Sequence, residues 1–288
     1  MLAAPWLVGA VLTLWLRRWA VLFTPGWLAK ALAVTAVALA ITTWTSALAL
    51  ATTAIGIGSV PIRVAAVLLG AALVWTSLSA VHHSVRVGAN LRAGRLFRDC
   101  PGRVGDVLLV DSTMPDAFAV PGRRAVVVIT SALASELDDK ELSAVIEHER
   151  AHLSGRHWLL IQAVHTAARL NPLVHSWCAA VRFAAERAAD ERAAAGDRGA
   201  ALRAVARAAL LCSATASPAW VGIGGESGEV MRRVHALRRP GPRPQRRWLL
   251  AAVCAVVLAL AANFVVIADI AQDRIAPERG EPADQVLG

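Results

Sequence analysis

The chain has 288 residues, 56% of them hydrophobic, and a mean hydropathy of +0.51. That is too apolar for an ordinary soluble domain of this length, so the sequence reads as a membrane protein. Lys and Arg number 30 against 21 Asp and Glu, and this excess lies beside the apolar segments; it argues for contact with a lipid bilayer and against direct nucleic-acid binding.

About 20 apolar residues cross a bilayer, and the pattern predicts about four spans. The first, residues 2–16, gives only about 22 Å of helix, so Arg17 and Arg18 would have to snorkel to complete it. Trp19 to Leu28 reads as an interfacial connector anchored by Trp19 and Trp27. Residues 31–57 form an uncharged second span and 64–80 a third, joined by Gly56-Ile57-Gly58-Ser59-Val60-Pro61, short enough to make a hairpin. His82 and His83 fall where the third span leaves the bilayer, and a connector helix then runs to a turn at Pro101 and Gly102.

Val107 to Val110, Ala117 to Val120 and Val126 to Thr130 read as short strands, with Pro121 and Gly122 turning the chain into the third. A helix follows. Asp138 is its predicted N-cap with Glu141 at the capping-box position, Leu142, Val145, Ile146 and Leu153 form its apolar stripe, and Gly155 stops it. This helix carries His148-Glu149-x-x-His152. Side chains four apart share a helix face, so both imidazoles can reach one zinc ion, and Glu149 sits beside it as general base to a water that the metal acidifies. Two surface histidines on a wet helix are the bland alternative, which the cap and the stripe disfavour.

Helices are predicted from Arg156 to Leu170, from Pro172 to Ala195, and from Asp197 to Ser213. A catalytic zinc site needs a third protein ligand. Glu186 on the second of these helices is the candidate, and Asp190, one turn on, can accept the free ring N–H of a liganding histidine. Alone, the two carboxylates would read as partners of Arg187 and Arg192. His157 lies off the His148/His152 face and reads as a structural residue or a possible transition-state contact. His165 and His175 read as packing histidines, and Gly222 to Gly225 as a loop. Cys100, Cys178, Cys212 and Cys254 are too widely spaced for a cysteine metal site or a disulfide framework.

Residues 248–268 form the last span, preceded by Arg232, Arg233, Arg238, Arg239, Arg243, Arg246 and Arg247. Arg86, Arg92, Arg95 and Arg98 follow the third span, so the positive-inside rule puts the region between them in the cytoplasm and both termini outside. The acidic tail, with Asp269, Asp273, Glu278, Glu281 and Asp284, agrees.

The HExxH and ExxxD elements, with Asn171-Pro172-Leu173-Val174 between them, resemble the BlaR/MecR-type membrane metallopeptidases, whose HtpX-type relatives share both elements. Asp116 to Val120, the run Val126 to Thr130 and the entry Glu136 to Leu142 resemble that family too. The resemblance implies that His148, His152 and Glu186 bind zinc, that Glu149 is the catalytic base and that Asp190 supports the ligands. It also suggests a BlaI/MecI-type transcriptional repressor as protein substrate. Only residues 269–288 follow the last span, leaving no room for the penicillin-binding sensor of BlaR and MecR.

The expected architecture is a mainly α membrane protein with a cytoplasmic, zincin-like α+β metallopeptidase domain carrying a small β-sheet. Its parts are an N-terminal membrane region (1–83), the peptidase domain (84–247), a transmembrane helix (248–268) and a short extracytoplasmic tail (269–288). The expected activity is zinc-dependent endopeptidase action at the cell membrane, with an extended substrate added to an exposed edge of Val126 to Thr130. HtpX-like quality control and a non-catalytic scaffold with structural zinc are the alternatives.

Overall fold

Three helices long and apolar enough to cross a membrane organise the computed structural model, which describes residues 3–215, 226–241 and 247–275. They are α2 (Pro25–Ile57), α3 (Val60–Ala93) and α11 (Arg247–Ile275). The helix before them, α1 (Ala4–Leu22), has a shorter apolar stretch, Ala4–Leu14. The segment expected as an interfacial connector instead divides between the end of α1 and the start of α2, with Pro25 at the first turn of α2 where its missing N–H costs nothing.

At 33 and 34 residues, α2 and α3 are each about 50 Å long, some 20 Å more than a hydrocarbon core requires. They turn back at Gly58 and Ser59, and their other ends lie away from that turn. There α2 is buried by other helices of the chain, among them α7 (His157–Leu170) and α8 (His175–Ala193). A single apolar cluster runs from Leu28, Leu32, Ala36 and Leu39 of α2 into Val164 and Ala167 of α7 and Trp177, Val181 and Ala184 of α8. Leu249, Val253 and Leu260 of α11 join the same cluster. α1 is fastened to it by a hydrogen bond from Trp177 Nε1 to Thr13 Oγ1 (3.0 Å).

After a short helix α4 (Arg95–Arg98) come the three expected strands, β1 (Val107–Val110), β2 (Ala117–Val120) and β3 (Val126–Thr130). β3 is the central strand, parallel to β1 on one side and antiparallel to β2 on the other. This corrects the expectation that its edge is open to substrate. Both edges of β3 are already hydrogen-bonded, and every one of its residues is buried, as an unbroken β-branched run should be. Alternate residues serve opposite faces: Val126 and Val128 pack with Leu108, Val120, Phe97 and Phe118, whereas Val127 and Ile129 pack with Leu142, Val145 and Ile146 of α6 (Asp139–Ser154).

Between the sheet and α6 lies α5 (Ser131–Glu136), capped by Thr130. α9 (Arg198–Thr215) and α10 (Glu226–Leu237) complete the region. α7 packs chiefly on α2, α3 and α8 and touches α6 far less. Residues 222–225 and the tail beyond residue 275 lie outside the described residues.

Candidate active site

α6 starts where the sequence places it. The Asp138 carboxylate accepts from Lys140 N (2.9 Å) and Glu141 N (2.8 Å), and Glu141 reaches back to Asp138 N (3.3 Å). Glu141 does more than cap: it is buried and accepts from Arg203 Nε (3.1 Å) and Arg207 Nη1 (2.9 Å), fastening α9 across α6. At mid-helix, Arg150 grips Asp106 ahead of β1 with two hydrogen bonds, 2.8 Å and 2.5 Å. The helix carrying HExxH is thus held on both flanks.

His148 Nε2 and His152 Nε2 point at one another across 3.2 Å. Glu186 of α8 closes the triangle, with Oε2 3.5 Å from His148 Nε2 and Oε1 3.5 Å from His152 Nε2. Ligand atoms tetrahedrally placed about a zinc ion, 2.0–2.1 Å from it, stand about 3.3–3.4 Å apart. The three side chains therefore could hold a metal with little adjustment.

Asp190 is wholly buried, with Oδ1 3.2 Å from His148 Nδ1. With Nδ1 held there, Nε2 of the same ring faces His152 and Glu186. His157 plays the equivalent part for His152, Nδ1 to Nδ1 at 3.2 Å. Its ring stands behind His152, on the side away from Nε2, and its own Nε2 lies against Gly155. The turn after α6 sets the ring against His152. Gly155 itself is in the right-handed region and Arg156 takes the left-handed conformation, φ +49°. The glycine is required for space, since a Cβ would come within 2.3 Å of His157 Nε2 and 2.9 Å of Ala151 O.

The electrostatics follow from these contacts. Burial pushes the Glu149 carboxyl up to about 7, helped by Glu186 and Asp116 and opposed by His148. A dication at the ligand atoms would draw it back towards the carboxylate. Burial alone would lower His148, but Asp190 and Glu186 outweigh it and hold the ring charged, up to about 9. Burial, His148 and Arg233 keep His152 neutral, down at about 4, because two facing imidazoles do not both hold a proton. Glu186 and Asp190 sit at about 2 despite their burial, through His148 and Arg233.

A cleft of about 420 Å³ opens from His148, Glu149 and Glu186. Ala144, Ala193, Ala201, Ala204 and Ala208 line it with small side chains, and Asp116 and Ala117 bring the start of β2 to its rim. Residues 99–246 match the model for peptidase family M48. The chain belongs to that family. No curated protein and no solved structure matches it.

M48 membership supports a metallopeptidase acting on protein or peptide, with zinc as the metal that the family uses. The match begins after α3 and ends before α11, so the apolar helices lie outside it.

Arg233 of α10 escaped sequence reasoning, which read it as one of several topology-setting arginines. It binds Asp190 with two hydrogen bonds (Nε 2.9 Å, Nη2 2.7 Å) and places Nη1 3.0 Å from Glu186 Oε2. Nothing local in the run Arg232-Arg233 separates it from its neighbour; the helical phase does, since Arg232 turns outward over the Phe183 ring (4.3 Å). Arg182 and Glu229, paired at 3.1 Å on the cleft wall, were also unforeseen.

Proposed function

We propose that this protein is a membrane-embedded zinc endopeptidase whose active site faces the cytoplasm, with residues 84–247 as its catalytic part. The observation that carries the reading is the convergence of His148, His152 and Glu186 beside a half-buried Glu149 in an open cleft. His148, His152 and Glu186 would hold the zinc, with Asp190 and His157 orienting the two imidazoles. When bound, zinc supplies Lewis acidity towards a water and the scissile carbonyl.

Glu149 takes the proton of that water as its oxygen attacks the carbonyl carbon, then delivers it to the amine nitrogen as the C–N bond breaks. The partly apolar setting that raises Glu149 suits a group that must both accept and return a proton. Substrate would lie extended along β2, whose outer edge is free of the sheet and whose first residue, Ala117, lines the cleft.

Basic residues on α3 and at the start of α11 support the cytoplasmic orientation, and α1 would add a fourth, short membrane helix. The BlaR/MecR-like layout motivates a transcriptional repressor as substrate. The HtpX-type relatives that share the HExxH and ExxxD elements motivate quality control as the second reading.

The test compares wild type with Glu149→Gln in nanodiscs, measuring zinc content and cleavage of protein substrates. Both should bind one zinc, and the variant should lose at least about a hundredfold in cleavage rate. Equal rates in the two proteins would remove Glu149 from the mechanism, and zinc binding without cleavage in either would turn the reading towards a scaffold. One cleavage site in one protein favours signalling; many sites in unfolded proteins favour quality control.

A further inference from the structure

Two concavities along α3 and α4 share no lining residue with the cleft at His148, Glu149 and Glu186, and they meet each other at one residue. The first, about 420 Å³, is a groove formed by Ala80, Val81, Ser84, Val85, Gly88 and Arg92. Its lining before Arg92 is small or apolar. The second, about 230 Å³, is walled by Leu91, Arg92, Arg95 and Arg98, with Pro121, Gly122 and Trp158 opposite. Arg92 belongs to both.

The charge of the second concavity is uncompensated. Arg98 is held by carbonyl oxygens, those of Pro121 (2.6 Å) and Leu91 (3.3 Å), which fix the guanidinium without neutralising it. Arg92 and Arg95 are exposed and join no ion pair among the described residues. Three guanidinium groups thus share one pocket with no carboxylate on any of them, the arrangement that an anionic oxygen ligand completes.

The helix also sets the depth. From Val64 to Arg92, α3 rises about 42 Å, or about 39 Å along the membrane normal at an ordinary tilt of about 20°. A hydrocarbon core plus one headgroup layer measures about 35–38 Å. With Val64 at the far boundary of the hydrocarbon, Arg92 reaches the headgroup layer on the peptidase side, and the groove from Ala80 to Gly88 runs back towards the acyl chains. Val81, Val85, Leu96 and Leu159 are exposed around the site, and Trp158 is the side-chain type that favours this interface.

We infer that α3 carries a specific site for one anionic phospholipid, its phosphate held by Arg92, Arg95 and Arg98 and one acyl chain laid in the groove from Ala80 to Gly88. The inference rests on α3 crossing the bilayer and is independent of the peptidase chemistry.

Native mass spectrometry of the full chain, offered equal amounts of phosphatidylglycerol and phosphatidylcholine from mixed micelles, tests it. Wild type should retain phosphatidylglycerol in preference. Arg92→Gln with Arg95→Gln should need roughly tenfold more lipid for the same occupancy. Lys140→Gln with Arg192→Gln, an equal loss of exposed charge elsewhere, should change nothing. Gly88→Leu, which fills the groove, should weaken phosphatidylglycerol as well. Thermal unfolding of each variant separates loss of the site from loss of the fold.

Equal retention of the two lipids, or of phosphatidylglycerol by wild type and the Arg92/Arg95 variant, overturns the site. Complete displacement by millimolar inorganic phosphate, with Gly88→Leu silent, assigns the pocket to a free anion and overturns the lipid. Release of the chain from membranes by alkaline carbonate, without detergent, removes the span itself.

Discussion

Asp190 has no solvent exposure, yet it is ionised, because His148, Arg233 and Arg187 all turn cationic atoms towards it. A buried carboxylate is tolerable only with such partners. In this position it has two duties, holding the His148 ring and anchoring the arginine that also touches Glu186. Asp190→Asn keeps an oxygen for His148 but leaves Arg233 facing a neutral amide. Zinc affinity should fall about 10–100-fold, read by competition with a chelator of known affinity. Arg233→Gln should also weaken zinc, since the Glu186 carboxylate loses the cation that fixes its rotamer. Unchanged affinity in both variants would mean that packing alone sets the ligand geometry.

Among the elements, α6 was legible because its determinants are local: the cap, the stripe, the ligand spacing and the stop all lie within one run of sequence. Glu186 and Asp190 were legible for the same reason, sharing a face of α8 one turn apart. The misreadings are non-local. Whether β3 is an edge depends on which strands flank it, although its unbroken apolar run carried the signal of a strand buried on both faces. Arg233 reaches the site only because α10 packs on α8, and the sequence holds no record of that contact. Gly155 was foreseen as a stop but for a different reason; Arg156 takes the strained backbone, and Gly155 makes room for His157. Gly155→Ala should displace the His157 ring and loosen His152 behind its ligand nitrogen. The expected cost is about 1–3 kcal/mol in stability together with weaker zinc binding, seen in denaturation curves with and without metal. Stability and zinc affinity equal to wild type would show that the turn can shift without moving the ring.

For the whole molecule, the membrane helices and the peptidase elements share one core. The face of α8 that carries Trp177, Val181 and Ala184 is covered by α2, and Gly26 at the start of α2 sits beside Ala188, between Glu186 and Asp190. α2 therefore backs the helix that carries Glu186. A soluble fragment of residues 84–247 would expose Val164, Ala167, Val174, Trp177 and Val181, all buried in the full chain. A patch of that kind exceeds what a soluble monomer normally leaves to water. The fragment should aggregate or bind a hydrophobic dye strongly, and should hold zinc more weakly than the full chain, as size-exclusion chromatography and chelator competition would report. Adding back residues 1–83 as a co-expressed chain should restore both properties, because the lost contacts come mainly from α2. A monomeric, zinc-loaded fragment with native affinity would show instead that α7 and α8 hold the site unaided, and that the long N-terminal half of α2 serves only as an anchor.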